Sequence, residues 1–321
     1  MNNDEIRKAV RGRYAEIATG DKPTESAGTP DESSCCAPQE AASAESCCAP
    51  AEAVNASSCC APPEAALASD RATAETTSAA TCGGSKAEAS ALAMGYSGEE
   101  LGSIPEGANM GLGCGNPTAL ASLKEGEVVV DLGSGGGVDC FLAANAVGKS
   151  GSVIGVDMTP EMISKARENA RRGGYENVDF RLGEIEHLPI ADSSADAVIS
   201  NCVINLSPDK AEVFEDAYRV LKPGGRVMVS DIVINRELPE HVQSSLAAWA
   251  GCIAGASRKD DYLATIVAAG FTDVEVVSEV SVGSGELEGA ISSVNVRAVR
   301  PGQKRRPNPG EVPPTGYSLH S

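Results

Sequence analysis

A glycine-rich turn directly after an apolar strand is the feature that most constrains the fold of this chain. Residues 127–131 read EVVVD, and residues 132–137 read Leu-Gly-Ser-Gly-Gly-Gly. Such a turn between a strand and a helix lets a ligand approach the backbone and directs amide N–H groups at it. The dinucleotide pattern G-x-G-x-x-G would need glycine at position 138, which is Val138. The turn therefore predicts a cofactor-binding α/β fold without that dinucleotide pattern.

Apolar β-branched runs alternate with amphipathic segments beyond this turn. The predicted strands are 127–131, 152–157, 178–182, 195–200 and 226–232, with helices at 138–147, 160–172 and 208–221. Two more helices, 239–256 and 259–269, precede strands 273–281 and 290–299, which we expect at one sheet edge in antiparallel orientation. We predict a doubly wound, mostly parallel Rossmann-like α/β sheet with helices on both faces, plus a smaller C-terminal α+β portion.

Composition predicts the domain organisation of the chain. Segment 19–93 is rich in Ala, Ser, Glu and Pro with almost no large apolar residues, so we expect a disordered linker. An N-terminal helix (1–18) precedes it, and the predicted parts that follow are a cofactor-binding domain (94–235), a substrate-binding α+β portion (236–300) and a disordered tail (301–321).

Seven of the 11 cysteines fall in the linker. SSCCAP-like strings recur every 12 residues and carry the vicinal pairs Cys35/Cys36, Cys47/Cys48 and Cys59/Cys60, with Cys82 further on. Two interpretations stay open. One is a duplication in an unconstrained linker, and the other is a flexible thiol-rich arm that captures soft ions or carries redox equivalents.

The charge of the chain bears on its partners. With 26 Lys and Arg against 45 Asp and Glu, the formal net charge is −19, which repels phosphate backbones and anionic lipids. No apolar run approaches the roughly 18 residues that span a bilayer, and the N-terminal residues lack a signal-peptide core. We therefore expect a cytoplasmic protein with neither nucleic acid nor membrane as a partner, and with reduced cysteines.

Further motifs accompany the glycine turn. Asp157 ends the second strand, RLGEIEHLPI follows the third, and LKPGG precedes strand 226–232. Over 127–232 these motifs resemble the class I S-adenosylmethionine-dependent methyltransferases. The cofactor-binding residues that the resemblance implies are Asp131, Gly133, Ser134, Gly135, Asp157, Met158, Glu184, Ile185 and Asn201.

That resemblance also implies a role for each residue. The turn residues wrap the amino-acid end of S-adenosylmethionine, with Asp131 supporting the turn. Asp157 takes the ribose hydroxyls. Met158, Glu184 and Ile185 lie at the adenine, and Asn201 faces the methyl group.

Three dispersed cysteines indicate the substrate. Cys114 lies in GLGCGNP, Cys202 directly follows strand 195–200, and Cys252 lies on the predicted 239–256 helix. Since ligands of open α/β sheets bind at the carboxyl ends of the strands, we expect Cys202 in that crevice. Cys140, with apolar neighbours, is expected to be a small buried residue.

The strings around these cysteines are specific as a set. PEGANMGLGCGNP, DLGSGGGVDCFLAA, SNCVINL and WAGCIAGA, with RGRYAEIA and GYSGEEL, closely resemble the arsenite S-adenosylmethionine methyltransferases over 4–18 and 95–299. Trivalent arsenic is soft and binds up to three thiolates while keeping a lone pair. The predicted function is methyl transfer from S-adenosylmethionine to arsenic held by Cys114, Cys202 and Cys252. These thiols are then substrate ligands, and positioning and water exclusion dominate the step.

The resemblance also implies partners. They are arsenite, methylated trivalent arsenicals and a thiol reductant of the thioredoxin or glutathione type. The family carries one more cysteine upstream of the GCG loop. Here Cys82 and the three vicinal pairs are alternatives for it.

Two other functions compete with this prediction. A small-molecule C- or O-methyltransferase would need an acid or base and an apolar funnel, against which four Phe and one Trp weigh. A thiol-rich metalloid-binding protein would have no use for the intact glycine turn and Asp157.

Overall fold

A computed structural model describes residues 2–20, 85–116, 122–283 and 285–302. Its strands are β1 (Val128–Leu132), β2 (Ser152–Asp157), β3 (Val178–Leu182), β4 (Ala195–Asn201), β5 (Leu221–Ile234), β6 (Ser257–Arg258), β7 (Thr272–Val282) and β8 (Ile291–Val299). They form one sheet in the order β3-β2-β1-β4-β5-β8-β7, with β6 paired to β5. Strands β1 to β5 run parallel, and β7 and β8 are antiparallel at one edge, which confirms the predicted mixed sheet.

Helices occupy both faces of the sheet. They are α1 (Asn3–Thr19), α2 (Lys86–Ala93), α3 (Gly98–Gly102), α4 (Val138–Val147), α5 (Pro160–Gly173), α6 (Lys210–Val220), α7 (Glu240–Gln243), α8 (Leu246–Ala250) and α9 (Lys259–Ala268). A 3₁₀ turn, Ile204–Leu206, follows β4. Within the described ranges, no helix combines the length and the apolar character needed to cross a bilayer.

Alternating residues of β1 feed two hydrophobic cores. Val130 packs with Phe214 of α6 on one face, whereas Val129 packs with Phe141 of α4 on the other. Successive side chains of a strand point to opposite faces, so a strand buried on both sides reads as a continuous apolar run. Each fully buried side chain of this kind contributes roughly 1.5–3 kcal/mol. The unbroken run at 128–130 therefore specifies a central strand.

The predicted continuous helix at 239–256 is wrong. The Ser245 side chain accepts the Ala248 N–H and begins α8 anew, so α7 and α8 are separate short helices. Helix α8 ends at Ala250, and Cys252 lies in the turn that follows. A serine that caps its own helix start competes with continuation of the preceding helix.

Three other boundaries also differ from the predictions. Residues 86–93, expected to be disordered, form α2, in which Ser85 caps the helix and Ala91 is buried against Tyr96. Strand β5 begins at Leu221 rather than at 226, since Leu221 pairs with Ala195 across a register shift in β4. Strand β8, which lies between β5 and the edge strand β7, pairs with β5 along 226–234, so the parts divided at 235 share one sheet. Residues 21–84 of the predicted linker, with all seven linker cysteines, and the predicted tail from 303 onward lie outside the described residues.

The carboxyl ends of the parallel strands gather the chemistry-bearing residues. Strand β1 lies between β2 and β4, so the strand order reverses next to β1: the chain continues to β2 and β3 on one side of it and to β4 and β5 on the other. This is the switch point at which ligands of such sheets bind. At this edge the glycine turn follows β1, Asp157 is the last residue of β2, and Cys202 follows β4.

Candidate active site

A cavity of about 260 Å³ lies at this edge, and we refer to it as the main cavity. The glycine turn, the end of β2 and the segment after β4 form its walls, and α1 contributes a further side. Of the residues predicted from the sequence, those that line it are Gly133, Ser134, Gly135, Asp157, Met158, Ile185, Asn201, Cys202 and Cys252.

Several glycines of the turn have no space for a Cβ. Gly133 has φ 68°, and a Cβ there would overlap the Val203 side chain. A Cβ at Gly136 would lie 2.7 Å from the Ala108 carbonyl oxygen. Between these glycines, the buried Ser134 hydroxyl has no hydrogen-bond partner among the described residues. An unpaired buried hydroxyl costs free energy, so the wall of the cavity fits a polar ligand group at this point.

Asp157 ends β2 with its carboxylate already oriented. One oxygen accepts the Gly135 N–H at 3.0 Å and the other accepts the Thr159 N–H at 2.8 Å. Burial raises the pKa of Asp157, while these two N–H groups act in the opposite direction. A carboxylate oxygen has a second acceptor site, so Asp157 can still accept a ligand hydroxyl from the cavity.

Two of the predicted cofactor-binding residues lie away from the cavity wall. Asp131 is buried beneath the turn, where its carboxylate accepts the Cys140 thiol at 3.2 Å. The Glu184 side chain pairs with Arg11 of α1 at 3.3 Å. The neighbouring Glu186 lines the cavity instead and accepts the Ser207 hydroxyl at 2.6 Å. The string Glu184-Ile185-Glu186 contains two acidic residues, and the sequence alone does not indicate which of them faces the cavity.

A polar network that sequence reasoning missed joins three parts of the wall. The Tyr96 hydroxyl donates to Asp139 at 2.8 Å, and Asn201 Nδ2 donates to both Tyr96 (2.8 Å) and Asp139 (3.2 Å). Burial raises the pKa of Asp139 to about 6 against the effect of these hydrogen bonds. The sequence signal that could have indicated this network is Asp139, an acidic residue in the first turn of the helix that follows the glycine turn.

Two of the predicted cysteines have a strained backbone. Cys202 has φ 58° and Cys252 has φ 64°, in the left-handed region that favours glycine. The Cys202 N–H donates to the Ser230 carbonyl at 2.7 Å, which ties this residue to β5. A left-handed conformation costs a non-glycine residue roughly 1–2 kcal/mol, and such strain clusters at functional sites.

The Cys202 thiol lies between the other two predicted thiols. Its neighbours Cys114 and Cys252, together with burial, raise the pKa of Cys202. The Cys252 thiol donates to the Cys202 carbonyl oxygen at 2.8 Å. The Cys114 thiol lies 3.7 Å from the Ser230 carbonyl oxygen, and Cys114 lines a second cavity instead of the main one. The three thiols are therefore neighbours, although they do not line a single cavity.

Helix α1 covers the main cavity. Val10 and Tyr14 line the cavity, and Val10 is only 1% exposed. Arg7 forms an ion pair with the buried Glu186 at 3.3 Å. Burial, followed by the nearby Cys252 and Cys202, raises the pKa of Tyr14, whose ring packs in the same cluster as both cysteines. This helix thus forms one wall of the cavity that the glycine turn and the two thiols also line.

Comparisons with known proteins agree with this geometry. A family model described as a methyltransferase domain matches residues 123–270. The crystal structure of an arsenic(III) S-adenosylmethionine methyltransferase from Chlamydomonas reinhardtii is 37% identical with a TM-score of 0.53, and the match covers 70% of this chain and 75% of that chain. Phosphoethanolamine N-methyltransferase 2 from Haemonchus contortus, with 19% identity and a TM-score of 0.50, matches 57% of this chain and 51% of its own and shares the fold.

Two further relatives are named arsenite methyltransferases. The arsenite methyltransferase of Halobacterium salinarum is 58% identical over 183 residues, which is 57% of this chain and 47% of that protein. The human arsenite methyltransferase is 36% identical over 190 residues, 56% of this chain and 50% of that protein. The chain thus spans about half the length of these relatives.

Proposed function

Because the chain belongs to the arsenic(III) S-adenosylmethionine methyltransferase family, we propose that it methylates trivalent arsenic with S-adenosylmethionine as the donor. One observation carries the proposal. Cys202 and Cys252, two thiols on strained backbone, line the same cavity as the glycine turn and Asp157. The cavity therefore combines soft sulfur donors with groups suited to a nucleoside cofactor.

The cavity wall supports specific roles in cofactor binding. We assign the amino-acid end of S-adenosylmethionine to Gly133, Ser134 and Gly135, since all three line the cavity and the Ser134 hydroxyl has no hydrogen-bond partner among the described residues. Asp157, with its free acceptor sites, is assigned to the ribose hydroxyls. Bound S-adenosylmethionine supplies an electrophilic methyl group.

The thiols are assigned to the arsenic. Each thiol that binds arsenite forms an As–S bond and breaks an As–O bond, and the thiol proton leaves with the hydroxyl as water. Three thiolates from Cys114, Cys202 and Cys252 would hold the arsenic in a pyramid with its lone pair free. The arsenic is then the nucleophile, so the protein has to provide orientation and exclusion of water. Val10 and Tyr14 of α1 are suited to that exclusion.

Turnover requires a partner outside the chain. Methylation formally oxidises the arsenic, so a thiol reductant of the thioredoxin or glutathione type is proposed to restore the trivalent state. Free thiol ligands persist in a reducing compartment, which supports a cytoplasmic location. The linker cysteines are candidates for participation in this step.

Arsenic speciation tests the proposal directly. The full chain, incubated with arsenite, S-adenosylmethionine and a thiol reductant, should give methylated arsenicals together with S-adenosylhomocysteine. Cys202→Ser should abolish methylation. Cys140→Ser is the matched control, because Cys140 is buried outside the thiol group and serine keeps a donor to Asp131. An inactive wild-type chain would overturn the activity, and full activity of Cys202→Ser would overturn the role of that thiol.

A further inference from the structure

A cluster of two sulfur donors and one oxygen donor lies beside the main cavity. Cys114 Sγ, Cys202 Sγ and a carboxylate oxygen of Asp231 all lie within 4.8 Å of one another. We call these three residues the S₂O cluster. It differs from the proposed arsenic ligands in its third member, which is Asp231 instead of Cys252.

The backbone holds the two cysteines of the S₂O cluster in place. Cys202 leaves β4 beside β5, and its N–H donates to the Ser230 carbonyl at 2.7 Å. The Cys114 N–H donates to Asn201 Oδ1 at 3.3 Å, and the Ser293 hydroxyl donates to the Cys114 carbonyl oxygen at 2.8 Å. Both thiols are therefore anchored by residues that are not cluster members.

Asp231 is anchored as well. It is 1% exposed, and its carboxylate accepts the Ile232 N–H at 3.0 Å, Asn205 Nδ2 at 2.8 Å and the Tyr262 hydroxyl at 3.2 Å. Hydrogen bonds of this kind orient metal-binding carboxylates in proteins. The positive charge of Lys210 acts on Asp231 from outside the S₂O cluster, and within the cluster two thiols and one carboxylate each offer a ligand atom for a metal cation.

The donor types select the kind of cation. Thiolates prefer soft or borderline ions. Zn²⁺ also takes carboxylate oxygens as ligands, whereas trivalent arsenic that is bound by three thiolates needs no oxygen ligand. Tetrahedral Zn²⁺ keeps such sulfur and oxygen ligands roughly 3.6–3.8 Å apart, so the ligand atoms would have to approach one another by at most about 1.2 Å from the 4.8 Å limit. We propose that Cys114, Cys202 and Asp231 form a site for a thiophilic divalent cation, Zn²⁺ or Cd²⁺.

Charge and protons balance in this step. The cation forms two metal–sulfur bonds and one metal–oxygen bond, and the two thiol protons, together with the proton of any protonated Asp231, pass to solvent. Two thiolates and one carboxylate then face two positive charges, and water can take the fourth position. Cys114 also lines the second cavity.

Sharing two ligands makes the cation a competitor of the substrate. This consequence, unlike the binding itself, rests on the proposed arsenite activity. Both ions require Cys114 and Cys202, whereas Asp231 serves only the divalent cation and Cys252 only the arsenic. Asp231→Asn and Cys252→Ser are therefore a matched pair that separates the two sites.

Cadmium binding tests the site without arsenite or cofactor. The full chain carries serine at the linker positions, namely Cys35, Cys36, Cys47, Cys48, Cys59, Cys60 and Cys82, so that only the described cysteines can respond. Titration with Cd²⁺ is followed by the ultraviolet cadmium–thiolate absorbance and by competition with a chelator. One equivalent should bind tightly, and Cys202→Ser should abolish the signal. Asp231→Asn should weaken binding at least about tenfold, and Cys252→Ser should change it by less than about twofold.

Two outcomes would overturn the site. They are wild-type affinity in Asp231→Asn, or a larger loss in Cys252→Ser than in Asp231→Asn. If Asp231→Asn fails to fold by circular dichroism, cadmium NMR of the unsubstituted site decides. A resonance for two sulfur ligands with oxygen supports the proposal, and one for three sulfur ligands contradicts it. Competition is measured separately, as Cd²⁺ inhibition that excess arsenite relieves, so an inactive enzyme would leave the binding result intact.

Discussion

The Cys252 thiol donates a hydrogen bond to the backbone carbonyl oxygen of Cys202 at 2.8 Å. Both residues have left-handed φ angles, so the strained backbone of one positions the acceptor for the side chain of the other. In this arrangement the Cys252 thiol contacts the Cys202 carbonyl oxygen, and Asp231 is the third member of the S₂O cluster. Binding of arsenic by three thiolates would remove this hydrogen bond, because the Cys252 thiol loses its proton when it becomes a thiolate ligand.

Substitutions at Cys252 separate the hydrogen bond from ligation. Serine keeps a donor to the Cys202 carbonyl, whereas alanine removes it. We expect Cys252→Ser to unfold at the wild-type denaturant midpoint and Cys252→Ala to lose about 1 kcal/mol. Both should reduce arsenite methylation at least about tenfold, because loss of a ligand exceeds loss of an outer-shell partner. Rescue of methylation by serine alone would show that Cys252 acts through the hydrogen bond.

Gly133→Ala tests the cofactor turn. Gly133 has φ 68°, and its Cβ would overlap Val203, so the free energy of unfolding should fall by about 3 kcal/mol. Gly174→Ala is the control, since Gly174 has φ 70° at the end of α5 with open space around it. This control should lose about 1 kcal/mol and bind S-adenosylmethionine normally by calorimetry. Equal cofactor affinities in the two variants would contradict the assignment of the turn.

The sequence was sufficient for the regular part of the fold and insufficient for parts of the site. A buried parallel strand such as Val128–Leu132 can be predicted from its continuous apolar run, because both of its faces pack against helices. The position of Cys252 was not predictable in this way, since a single serine cap at 245 decides where α8 begins. Asp231 was overlooked inside an apolar strand, although an acid at the carboxyl end of β5 is a signal of function.

Asp231 should make stability depend on pH. Burial raises its pKa in the folded state to about 7, against 3.8 for an ordinary aspartate. Between these values the folded state holds a proton that the unfolded state has released. The stabilisation is complete below the lower value and is lost as the pH rises towards 7, by up to about 1.4 kcal/mol per pH unit. Urea unfolding across this range should show a shallower decline in Asp231→Asn than in wild type, and parallel curves would contradict this titration.

Val10→Asp tests the cover over the cavity. Val10 is 1% exposed and packs in the same cluster as Cys202 and Leu206, so a carboxylate there would be buried without a partner among these apolar neighbours. Helix α1 should detach, which exposes the cavity and weakens S-adenosylmethionine binding at least about tenfold. Lys8→Asp is the matched control, because Lys8 is exposed on the same helix and receives the same side chain. Calorimetry with S-adenosylmethionine should separate the two variants, while circular dichroism should show the sheet domain folded in both. Wild-type affinity in Val10→Asp would mean that α1 does not enclose the cofactor.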